Sequence, residues 1–140
     1  MPYKGIFSPS HEQIAAACLK PLHPEAERGL RLYNQAKYFQ AHEALENAWH
    51  AEQEPDRRLY QGILQAGIAF MHARNGYANG VFSMYARCRR WLAPWPDHCR
   101  TIDLGKLKSD LRVLVDSVTT LGPNHIQELD PNLFTKISRV

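Results

Sequence analysis

The chain has 140 residues, 44% of them hydrophobic and 22% charged. That is a length for one domain with a sizeable core and a composition that excludes wholesale disorder. Seventeen Lys and Arg against fourteen Asp and Glu leave a net charge of +3, with seven histidines besides; so mild an excess lacks the clustering of a dedicated nucleic-acid binder, and nucleic acid is not an expected partner.

The first ten residues have neither the apolar stretch nor the cleavage site of a secretory signal. A short helix is predicted over residues 10–20, with Ser10 as its N-cap and Pro21 and Pro24 ending it. Pro24 then suits the first position of a helix over 24–36, with Ala26, Leu30 and Tyr33 facing a core. A turn near Lys37 leads to a helix over 38–52, closed by the EQEPD segment with Pro55. The helix over 56–75 contains the longest uncharged stretch, residues 59–73, which spans only ~22 Å and includes Gln61, Gln65 and His72. It is too short and too polar for a membrane span, and being apolar nearly all round it belongs in the middle of a bundle. Asn75 and Gly76 end it, and a helix runs on to about Leu92. The segment APWPDHC is expected to be a loop. Asp103 caps a long last helix in which Leu104, Leu107, Leu111, Leu114, Val118 and Leu121 recur at helical steps, until Gly122-Pro123 stops it. The tail packs through Leu133, Phe134 and Ile137.

These elements predict an all-α fold: one domain over 1–140, a compact bundle of five or six helices. It comprises an N-terminal arm and short helix (1–22), a core (24–121) and a tail (122–140). Residues 38–41 echo residues 77–80 at an offset of 39, giving two antiparallel, repeat-like helix pairs around the buried central helix. Cys18, Cys88 and Cys99 form an odd, widely spaced set with no CxxC pair. They predict neither a disulfide framework nor a cysteine zinc site, and they favour a reducing cytoplasm.

One segment is dense in chemically useful side chains. On the helix over 38–52, His42 lies about 60° and Glu46 about 100° from the apolar stripe's centre at Leu45, at roughly 100° per residue. Glu43 and His50 point further outward. On the central helix Gln61, Gln65 and His72 share one narrow polar stripe, and buried polar groups need partners. The two stripes are therefore expected to face each other. In one reading this His/Glu/Gln network mainly fixes helix register and no cofactor is bound. In the alternative, His42, Glu46 and His72 ligate zinc or iron, with Glu43 nearby as a base. The spacing is not that of a zincin, which needs a second histidine where Glu46 stands. Arg57 and Arg58, with Arg87, Arg89 and Arg90, read as solvated helix surface, and Trp91 and Trp95 as packing over one end of the bundle. Cys88 reads as a core or neutral residue.

The segment from Phe39 through Ala41-His42-Glu43, Glu46 and Trp49, followed in order by Gln61-Gly62, Gln65, His72 and Asn75-Gly76, resembles the family of domain of unknown function 309. The likeness covers about residues 26–120, and its motif residues here are His42, Glu43, Glu46, Trp49, Gln61, Gly62, Gln65 and His72. The resemblance implies a small all-helical protein and carries no activity, cofactor or partner. The leading expectation is a non-enzymatic cytoplasmic module that binds a protein or a small polar ligand, with a homodimer among its options; whether the chain is an enzyme is left open. The alternative is a metal-dependent enzyme.

Overall fold

The computed structural model describes residues 5–140, so residues 1–4 of the expected arm lie outside the described part. Among the described residues six α-helices and one small hairpin follow in the order α1 (His11–Cys18), α2 (Pro24–Asn34), α3 (Tyr38–Ala51), α4 (Arg57–Arg74), α5 (Ala78–Leu92), β1 (His98–Cys99), β2 (Ile102–Asp103) and α6 (Leu104–Leu121). Two 3-10 turns, Pro123–Glu128 and Pro131–Leu133, form much of the tail. The all-α bundle expected from the sequence is what forms.

The helix starts follow from local chemistry. The Ser10 hydroxyl accepts from Gln13 N–H while the Gln13 side chain accepts from Ser10 N–H, a reciprocal capping box. His23 caps α2, its Nδ1 accepting from Glu25 N–H at 3.0 Å, with Pro24 at the first helical position. Asp103 caps α6 by accepting from Lys106 N–H at 3.0 Å, and Gly122 ends that helix at φ +81°.

Helices α2 to α5 pack each against the next in sequence, and cross-contacts fix every pair as antiparallel. Gly29 of α2 lies against Leu45 and Ala41 of α3, and Tyr33 meets Tyr38 edge-on at 5.4 Å. At one end of the α3–α4 pair Tyr38 stacks on Phe70 at 6.2 Å; at the other, Arg57 lies over Trp49. Gly62 approaches Leu92 and Gly80 approaches His72 so closely that a Cβ at either would stand 2.6 Å from the opposing side chain. Small residues thus let α4 and α5 come together. Flanked on both sides, α4 buries Leu59, Tyr60, Ile63, Ala66, Ala69 and Phe70 completely.

The two helix pairs do repeat, though at an offset of 40 rather than 39. Lys37 N–H bonds to Leu32 C=O at 2.9 Å and Tyr77 N–H to His72 C=O at 2.8 Å; Ala36 N–H reaches Tyr33 C=O and Gly76 N–H reaches Ala73 C=O. Both turns are Schellman motifs whose left-handed residue is Ala36 (φ 59°) in one and Gly76 (φ 76°) in the other. The two tyrosines of the sequence echo are therefore not equivalent positions. Tyr38 is the first residue of α3 and buried, whereas Tyr77 precedes α5 and is exposed.

The end of the bundle that holds the turn between α3 and α4 corrects two expectations. Cys18, at the end of α1, is disulfide-bonded to Cys99 on β1. Their separation of 81 residues gave no local signal, and an odd count allowed two to pair while Cys88 stays free and buried. The APWPDHC segment runs into a hairpin, with His98 opposite Asp103 and Cys99 opposite Ile102. Its turn residues, Arg100 (φ 49°) and Thr101 (φ 64°), both occupy the left-handed region, which is costly for side chains with a Cβ. Arg100 is 2% exposed. Its guanidinium bonds to Glu52 at 2.7 Å, Asp56 at 2.8 Å, Tyr60 Oη at 2.8 Å and Ala17 C=O at 2.8 Å, and Lys20 adds a second cation to Asp56 at 2.6 Å. The tail returns here too. Ser138 C=O accepts from Asp103 N–H and Arg139 pairs with Glu27 at 2.8 Å; nearer the opposite end, Asn34 at the close of α2 makes two bonds to the Ile137 backbone, so the tail runs along α2 from one end of the bundle to the other. Among the described residues no helix is long and apolar enough to cross a membrane.

Candidate functional site

Helical spacing places the sequence-derived candidates on the outer faces of two neighbouring helices. On α3, His42, Glu46 and Trp49 are half-buried at steps of four and three, while Glu43 and His50 are exposed. On α4, Gln61, Gln65, Ile68 and His72 form a half-buried stripe at steps of four, three and four. His42, Gln61 and His72 each find a local neighbour. His42 Nε2 meets Glu46 Oε2 at 3.1 Å, one turn along the same helix. Gln61 accepts from Arg58 Nη1 at 2.6 Å. His72 lies edge-on to Tyr77 at 5.2 Å and over Gly80, toward α5. Among the described residues no three His, Cys, Asp or Glu side chains come together as a group able to hold a metal ion. The Gln65 Oε1, Trp49 Nε1 and Arg57 Nε atoms are buried without a hydrogen-bond partner in the protein.

The arginines are less solvated than expected. Arg58 is buried, paired with Glu54 at 2.6 Å and stacked over Trp91 at 4.6 Å. Arg57 is half-buried over Trp49 at 5.9 Å. Stacking on indole rings, which the aliphatic stem and planar guanidinium permit, takes both out of the patch. Arg87, Arg89 and Arg90 are exposed. Trp91 and Trp95 are buried as expected. Cys88 is fully buried, and burial pushes its thiol up to about 12, which leaves it unreactive.

A different feature, missed from sequence, lies at the end of the bundle where α3 and α5 begin and α4 finishes. The two Schellman turns are tied there. Arg74 donates to Ala36 C=O at 2.6 Å and lies over the Tyr38 ring at 4.9 Å. Between the turns and the tail is a cavity of about 340 Å³, lined largely by Tyr38, Ala73, Ile126, Leu129 and Phe134, with Arg74 as its charged member. Two large aromatic side chains stand exposed at the same end, Phe39 at 60% and Tyr77 at 53%. Each meets a histidine edge-on, Phe39 with His42 at 6.4 Å and Tyr77 with His72 at 5.2 Å. The signal available in the sequence was the pair of matched turns; the tail's contribution, from residues some 50 positions later, had none.

Comparison with known proteins places the α2–α5 segment. Residues 26–84 match the family described as Domain of unknown function (DUF309). The DUF309 match includes His42, Glu43, Glu46, Trp49, Gln61, Gln65 and His72 together with both Schellman turns, and excludes Cys18, Cys99 and Arg100. An uncharacterized protein of Aquifex aeolicus (strain VF5) is 28% identical over 96 residues, which is 68% of this chain and 29% of that protein. The chain therefore matches less than a third of that relative's length.

Proposed function

We propose that this protein is a non-enzymatic binding module that takes an apolar side chain of a partner polypeptide into the cavity between its two helix turns and its tail. The observation that carries this reading is the 340 Å³ cavity at the end where Phe39 and Tyr77 stand exposed. Interfaces are built from aromatic residues around a pocket that an apolar anchor fills. Arg74 at the cavity and Lys37 beside it are balanced by Glu128 and Asp130, chain neighbours of the tail residues that line it, so the rim carries both signs of charge and the apolar lining is what selects the partner's side chain.

The experiment is photo-crosslinking in the source cells from a benzoylphenylalanine placed at Phe39 or Tyr77, with position 113 on α6 as control. The reading expects a discrete adduct from 39 and 77 that is absent from 113 and is lost when Gln127→Trp plugs the cavity. The same faint adducts from all three positions would overturn it. A homodimer would appear as an adduct of twice the chain's mass.

The alternative metal reading draws on the 3.1 Å His42–Glu46 pair, two of its three ligands. It expects stoichiometric zinc or iron by elemental analysis, lost in His72→Ala; no metal in the purified protein and in protein incubated with either ion would remove it. The cytoplasmic placement favoured by the cysteine count loses that support once Cys18 and Cys99 are bonded. Acid-quenched, alkylated cells test it: free Cys18 and Cys99 thiols place the protein in a reducing compartment, a retained bond in an oxidising one.

A further inference from the structure

We propose that the Cys18–Cys99 bond is a thiol–disulfide exchange site, opened by a dithiol reductant, and that its state decides whether α1 stays docked. The site lies away from the aromatic end, and the inference does not rest on the proposed binding function.

Helix α1 has eight residues and buries only Ile14 and Ala17, too little for a helix of that length to persist alone. Its main contact with another element is with β1, and Leu19, just beyond it, is 87% exposed. Three links fasten Ala17 and Cys18, namely the disulfide, Arg100 N–H to Cys18 C=O at 3.1 Å and Arg100 Nε to Ala17 C=O at 2.8 Å, and just beyond them the exposed Lys20 adds a surface ion pair to Asp56. Both hydrogen bonds come from the residue next to Cys99, in a turn whose two central residues are left-handed without being glycine. The disulfide holds one end of that turn. With the bond open, the backbone at Arg100 loses its covalent anchor to α1 and can relax toward right-handed geometry, carrying the Arg100 N–H away from α1, while Thr101 stays held to the tail by Val140 N–H and the Arg139 guanidinium. The guanidinium contacts with Glu52, Asp56 and Tyr60 keep the hairpin itself on the bundle.

The chemistry is directional. Cys18 is half-buried and Cys99 2% exposed, so a reductant reaches Cys18 first. One thiolate of the dithiol attacks Cys18 Sγ, forming a mixed disulfide and expelling Cys99 as a thiolate, which takes up a proton. The second sulfur of the dithiol, deprotonated, then attacks its own partner and releases Cys18, which is protonated in turn. Two electrons and two protons pass to the protein, and the dithiol leaves as a cyclic disulfide. The buried Cys88, its thiol held at about 12, takes no part. Undocking of α1 and the arm before it removes Phe7 from Trp91, where the rings meet at 5.4 Å, and opens the Arg100–Asp56 cluster to solvent.

Hydrogen exchange of the whole chain, read by mass spectrometry with and without dithiothreitol, tests this. Reduction is expected to speed exchange at least tenfold in residues 11–20 and 98–103, leave α3 to α5 unchanged, and reverse on reoxidation. The Cys18→Ser/Cys99→Ser variant should match the reduced protein under both conditions. Identical exchange in the two states would overturn the proposal. So would uniform acceleration along the chain, which would make the bond a global staple and not a local latch.

Discussion

At the scale of single residues, Arg100 stands 2% exposed with its guanidinium bonded to four partners. A buried guanidinium is tolerable only with its charge and its donors matched, and Glu52, Asp56, Tyr60 Oη and Ala17 C=O supply that match. Removing it leaves Asp56 buried with only the exposed Lys20 as counter-ion. Arg100→Met is therefore expected to lower the free energy of unfolding by about 3 kcal/mol, the low end for breaking a buried pair, as measured by urea denaturation of the oxidised protein. Arg100→Lys should recover part of the loss, because it keeps the charge without the fork of donors. None of this was legible in the sequence, where Arg100 follows a proline-rich loop and its partners lie 40 to 83 residues away. The His42–Glu46 pair was legible because it depends only on one helical turn. The same spacing could not tell that His72 turns toward Tyr77 and Gly80 on α5, since that depends on how a neighbouring helix approaches.

At the scale of elements, the two helix pairs share one device, a Schellman turn with a left-handed residue forty positions apart. Gly76 fills that position at little steric cost, whereas Ala36 adopts φ 59° with a Cβ. Ala36→Gly is expected to stabilise the fold by roughly 0.5–1 kcal/mol, and Gly76→Ala to destabilise it by about 1 kcal/mol, since the left-handed region costs an L-residue ~1–2 kcal/mol. Differential thermal denaturation of the two variants measures both signs at once. The helices themselves were readable from proline, glycine and apolar spacing, and their ends fell within a few residues of those predicted. The hairpin was not, because strands of two residues carry no periodicity and their turn lacks the glycine or asparagine that such turns favour. The tail's anchoring by Asn34 and Glu27 likewise joins residues more than a hundred apart.

At the scale of the whole molecule, the two ends of the bundle are built differently. One is closed by a disulfide, a buried arginine cluster and the last residues of the tail; the other, where the earlier part of the tail crosses, leaves a cavity and two exposed aromatic rings. The DUF309 segment, residues 26–84, contains both helix turns of the open end and none of the cysteines of the closed one. On the proposed reading, the exposed rings of Phe39 and Tyr77 serve recognition and contribute little to the stability of the bundle. Equilibrium unfolding of the Phe39→Ser/Tyr77→Ser double variant tests it most directly, with no partner required. Substitution of exposed side chains outside the packing changes stability by roughly 0.5 kcal/mol each, so the account predicts a variant within about 1 kcal/mol of the parent. A loss of about 3 kcal/mol or more would show that the two rings hold the helix turns together, and would contradict it.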